Sequence, residues 1–149
     1  MNTYREAIGN KLNNLLEKTY DAEKGFKKAA EKTNNAFLKG YFDRKTKERY
    51  NFGQELKTEI KAYGQEIETG DSMTAKAHRT WIDIKTLFAT DNEEAILEEA
   101  IRGEKAAVKE YTEVLNETTL PPSTAHVLGK QKKAIEIGIT NIKTLEDLA

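Results

Sequence analysis

Four polar side chains interrupt stripes that are otherwise apolar: Glu23, Glu48, Glu104 and Gln131. Three carboxylates and an amide are hard oxygen donors. Gathered in the core of a helical bundle, such a set suits iron or manganese better than zinc. Glu23 shares a face with Leu12, Leu16 and Phe26, and Glu104 sits mid-stripe among Leu97, Val108 and Leu115. Gln131 is central among Val127, Leu128, Ile135 and Ile142, while Glu48 lies nearer a stripe's edge, between Tyr41 and Phe52. Burying an unpaired carboxylate costs several kcal/mol or shifts its pKa, so each of these groups needs a partner. That partner is either a metal ion or a cationic side chain. Lys45 falls on the inner face of the helix that carries Glu48, with Arg49 beside it, and either could neutralise the carboxylates without metal.

Long helices must position these groups. At about 3.6 residues per turn, Ile8, Leu12, Leu15, Leu16, Thr19, Phe26 and Ala30 fall on one face of a helix over about 3–32. Asn34 and Asn35 supply a turn and an N-cap. A second helix, about 35–63, carries Phe37, Leu38, Tyr41, Phe52, Leu56 and Tyr63, and Gly64 stops it. A polar connection then leads to a short helix over about 73–89, with Ala77, Trp81, Ile84 and Phe88 on one side. Asp91 and Glu94 open a third long helix over about 92–117, with Leu97, Ile101, Val108, Tyr111 and Leu115 in register. Pro121 and Pro122 suit the start of the last helix, about 121–147, which buries Val127, Leu128, Ile135, Ile142 and Leu145.

Two helical hairpins result. Their short turns make each antiparallel, and the longer connection lets the second start from the opposite end of the bundle. The Asn34–Asn35 turn is equidistant, to within a residue, from Glu23 and Glu48, and the second turn is equidistant from Glu104 and Gln131. Each pair is therefore predicted to lie at one depth. If the two pairs share a depth, all four groups converge at the centre.

Composition bounds the alternatives. The 149 residues form one domain, 1–149, long enough to bury a core. Twenty-four basic and 25 acidic residues nearly cancel, so no global field recruits nucleic acid or membrane. The absence of cysteine excludes disulfides, thiolate catalysis and cysteine zinc sites, and fits a reducing cytoplasm. No apolar run approaches a membrane span, and Met1 to Asn10 lacks the apolar core of a signal peptide. Ser72 and Ser123 lie in no Gly-x-Ser-x-Gly elbow, and the nine glycines form no phosphate loop. His78 and His126 lack companion ligands at i+4 and are read as structural. Trp81 is read as an anchor for the short helix. Tyr41 and Tyr111 are read as core residues that hydrogen-bond to a carboxylate. Lys130, Lys132 and Lys133 spread over an outer, solvated face.

The segments Asp21-Ala22-Glu23-Lys24-Gly25-Phe26, Lys47-Glu48-Arg49-Tyr50-Asn51-Phe52, His78-Arg79-Thr80-Trp81 and Arg102-Gly103-Glu104-Lys105-Ala106-Ala107 carry a resemblance. Through them the chain resembles the ferritin-like superfamily over nearly its whole length. More narrowly, it is similar to a bacterial ferritin-like family described only as a domain of unknown function. The resemblance implies an all-α, ferritin-like antiparallel four-helix bundle, with the short extra helix in the crossover between the second and third long helices. It also implies metal-site glutamates on the first and third helices, matched by Glu23 and Glu104, and Glu-x-x-His on the second and fourth. Glu48 matches the second-helix acid, but Asn51 stands at its histidine. Gln131 stands at the fourth-helix acid, a replacement some ferritins share, and Ala134 at its histidine. The expectation is a non-enzymatic bundle, a scaffold or stress-related protein acting through a protein partner or a homo-oligomer, with a degenerate carboxylate cluster. The alternative is an iron- or manganese-binding protein that uses Glu23, Glu48, Glu104 and Gln131, with weak ferrous oxidation.

Overall fold

Asn35 separates the first two helices. Its side-chain oxygen accepts from the backbone N–H of Phe37 at 2.9 Å and of Leu38 at 3.2 Å, satisfying two donors that a helix start leaves free. The structure, a computed structural model, describes residues 3–67, 93–117 and 119–148. Four helices occupy them: α1 (Thr3–Lys32), α2 (Ala36–Ala62), α3 (Glu93–Glu117) and α4 (Pro122–Leu148). The fold is an all-α bundle, and no strand occurs among the described residues. At the end of α2, Gly64 adopts φ 69°, where only glycine is unstrained. The N–H of Gln65 reaches back to the carbonyl of Ile60, and that of Gly64 to Lys61, so the final carbonyls are capped. Pro122 opens α4, where its missing N–H costs nothing. The short helix expected over 73–89, with His78 and Trp81, lies outside the described residues, as does the side chain of Leu145.

Helix α1 packs against α2 and α3, and α4 packs against α3 and α2. The diagonals are thus α1 with α4 and α2 with α3. Two apolar layers fix the chain directions. One joins Leu12 and Leu16 of α1 to Leu56 and Ile60 of α2, Tyr111 and Val114 of α3, and Leu128 of α4. The other joins Phe26 and Ala30 to Leu38 and Phe42, then to Leu97 and Ile142. So α1 and α4 run one way, and α2 and α3 run the other. Every neighbouring pair is antiparallel.

The apolar stripes are buried largely where the periodicity puts them. Phe37 differs, at 65% exposed. It stands in the first turn after Asn35, and the buried face of α2 runs instead through Leu38, Tyr41, Phe42 and Lys45. Between the two apolar layers lies a third, whose buried members include Thr19, Lys45, Arg49, Glu104 and Gln131.

Candidate functional site: a polar layer held by cations

Among the described residues Arg49 is the largest fully buried side chain, 1% exposed. Its guanidinium lies between two rings, 5.4 Å from the centroid of Phe26 and 5.5 Å from that of Phe52. A cation stripped of water gains from such ring faces, and guanidinium tolerates dehydration better than ammonium does. One Arg49 nitrogen donates to Glu48 Oε1 at 2.8 Å, and the other donates to Glu104 Oε1. Lys45, also buried, donates from Nζ to Glu48 Oε1 at 3.2 Å and lies 5.8 Å from the Tyr41 ring centroid.

Glu104 is wholly buried. Burial pushes its carboxyl above the ordinary range, Arg49 and Lys45 pull it back, and Glu48 adds to the rise. Its Oε2 has no hydrogen-bond partner among the described residues. Gly138 makes room there. A Cβ at that position would lie 2.6 Å from Lys45 Nζ and 3.4 Å from Glu104 Oε2. The missing side chain is therefore the space in which the Lys45 ammonium approaches the free carboxylate oxygen. Tyr41 donates its hydroxyl to the Gly138 carbonyl at 3.2 Å. Its phenol is pushed well above the usual range, first by burial and then by the charges of Glu104 and Glu48.

Gln131 occupies the adjoining part of the layer. Tyr111 donates to its Oε1 at 2.5 Å, while its Nε2 donates to Glu55 Oε1 at 2.9 Å and to the Phe52 carbonyl at 3.4 Å. The Tyr111 phenol is pushed up to about 12, mainly by burial. It also senses the charges of Arg49 and Glu104, which ties the two halves of the layer together.

Glu48 and Glu104 thus meet through Arg49, and Gln131 is one residue removed, across Tyr111. Glu23 is set differently. It is only partly buried, burial raises its pKa, and the charges acting against that rise are Lys27, Lys57 and Lys24. Among the described residues no hydrogen bond or ion pair joins Glu23 to Glu104.

The donor set does not fit a two-metal centre. Oε1 of Glu104 and Oε1 of Glu48 already accept from Arg49; of the two oxygens left, Glu48 Oε2 accepts from Lys45 at 3.4 Å, and Glu104 Oε2 faces the same ammonium across the space at Gly138. A divalent ion there would face two cations at close range. Among the described residues no group of three or more His, Cys, Asp or Glu is arranged to hold a metal ion. Asn51 and Ala134, where the resemblance implies histidines, line a cleft between α2 and α4 instead. Sequence reasoning missed Glu55 as the partner of Gln131. Its one signal is its place two helical turns beyond Glu48 on the same side of α2. His126, read as structural, is exposed on α4.

Compared with known proteins, the chain matches one family, described as "Domain of unknown function (DUF2383)", over residues 7–117. That span holds Glu23, Lys45, Glu48, Arg49 and Glu104. No curated protein matches the chain. Among the described residues no helix is long and apolar enough to cross a membrane.

Proposed function

The chain belongs to the DUF2383 family, and from that premise we propose that it works as a non-enzymatic bundle of ferritin-like ancestry, its central layer held by buried cations in place of metal. The Arg49–Glu104 pair carries this reading. Arginine stays protonated at any working pH, so its charge cannot be withdrawn to admit a metal ion. The buried carboxylates then serve as counter-ions that fix the register of four helices. Such a bundle acts through its surface, as a scaffold in contact with a protein partner or with further copies of itself. Exposed Phe37 and Tyr50 on α2 and Ile137 on α4 offer apolar contact there. The lack of cysteine suits a cytoplasmic setting.

A second reading rests on the free Oε2 of Glu104. If Lys45 withdraws, Glu104 and Glu48 could share one weakly held iron or manganese ion, with Gln131 and Glu23 as more distant donors. Elemental analysis of protein purified without chelators separates the two. The cation-held reading expects substoichiometric iron and manganese, unchanged in Glu104→Gln. One metal ion per chain, lost in that variant, supports the second reading.

A further inference from the structure

Helices α2 and α4 touch less than the other neighbouring pairs do, and a cleft of about 470 Å³ opens between them. That volume lies in the range of small-molecule sites, roughly 300–1,000 Å³. Arg44 and Lys47 on α2 and Lys130 on α4 bring three cations to its walls. Among the described residues none of the three has an ion-pair partner. The cleft's two acids are already engaged, Glu48 by Lys45 and Arg49, and Glu55 by Gln131. Gln131 is neutral and leaves Glu55 its charge, so three cations face one un-neutralised carboxylate and the cleft stays net positive. Three like charges around one concavity repel one another and raise the local concentration of anions.

The rest of the lining says what kind of anion. Phe52 and Ala134 give an apolar floor, and Asn51 presents an exposed carboxamide that can donate or accept. Gln131 is a wall and not a donor, because both its Nε2 protons are committed to Glu55 and Phe52. Arg44 lies 6.0 Å over the Tyr41 ring, which limits the directions its guanidinium can take.

We propose that this cleft binds a small organic anion, its carboxylate or phosphate group held by Arg44, Lys47 and Lys130 and its apolar part resting on Phe52 and Ala134. The cleft shares Glu48 and Gln131 with the polar layer but not the buried Arg49–Glu104 pair, and its occupancy does not depend on whether the bundle is catalytic. Backbone amide NMR of the full chain, titrated with phenyl phosphate and with 3-phenylpropionate at constant ionic strength, tests it. Saturable shifts confined to residues 44–55 and 130–134 are expected with at least one probe, and the probe that binds tells phosphate from carboxylate recognition. Lys47→Gln with Lys130→Gln should weaken that binding about ten-fold. Both lysines are exposed, so the fold should survive, while Lys105→Gln on α3 serves as a control and leaves affinity unchanged. Non-saturating shifts, shifts spread over every lysine-bearing face, or affinity indifferent to the paired substitution would overturn the proposal. None of these outcomes bears on metal content, so failure here leaves the cation-held core standing.

Discussion

The Arg49 guanidinium satisfies two carboxylates at once, so its loss and the loss of Glu104 should not cost the same. Arg49→Met strands Glu104 in the core with Lys45 alone, and breaking a buried pair from one side costs about 3–5 kcal/mol. Glu104→Gln leaves Arg49 still bonded to Glu48 and removes the charge on the unpartnered Oε2, so its cost should be clearly smaller. The pair Arg49→Met with Glu104→Leu replaces both charges by apolar groups and should recover much of the single-variant loss. Urea unfolding of these proteins and of the Glu104→Leu single variant, which closes the cycle with Arg49→Met, reads the coupling. Equal costs for Arg49→Met and Glu104→Gln, or strict additivity in the cycle, would contradict the arrangement. The phenols test the same layer independently. An unfolded tyrosine ionises near pH 10, whereas Tyr111 is held up to about 12 and Tyr41 well above its usual range. Between those values the folded state keeps protons that the unfolded state has lost. The stability these groups contribute is thus fully present below about pH 10 and is lost as pH rises toward the folded values. Absorbance titration of phenolate should show Tyr41 and Tyr111 ionising only with unfolding. Ionisation of either one near pH 10 in folded protein would count against their burial.

At the scale of elements, the chain announces its own punctuation. Asn35, Gly64 and the proline pair end or start helices through local hydrogen bonds and fixed dihedral angles, so they are readable without knowing the fold. Asn35→Ala should cost about 1 kcal/mol, and thermal unfolding measures it. Gly64→Ala forces a Cβ into the left-handed region, a strain of roughly 1–2 kcal/mol. A loss near zero for both would mean that these ends fray. Phe37 shows where periodicity stops being informative. A first-turn residue can match the stripe by count and still point outward, since the face that is buried is set by the neighbouring helices and not by the helix itself. Depth was easier to read than direction. Placing Glu23 and Glu48 at equal distances from the first turn needs only the rise per residue, which both helices of a hairpin share.

For the whole molecule, the all-α bundle was legible because four apolar stripes and scarce proline leave few other folds. The central layer was legible as a list of misplaced polar groups, Glu104 and Gln131 above all. Its chemistry was only half legible. Arg49 could be seen beside Glu48, but not that its guanidinium crosses the core from α2 to α3, which depends on rotamer and on the packing of Phe26 and Phe52. Glu23 shares its stripe with buried leucines, yet it ends up among lysines because a long side chain near a face's edge can turn to solvent. The central proposal is that cations belonging to the chain, and no metal ion, hold the core. Anything that binds only the folded state raises its melting temperature in proportion to the logarithm of its concentration. Thermal unfolding with excess chelator, and again with added manganous ion under otherwise identical conditions, is the most direct test. The account predicts superimposable curves. A melting temperature that falls with chelator and climbs steadily with manganese, with the climb abolished by Glu104→Gln, would contradict it.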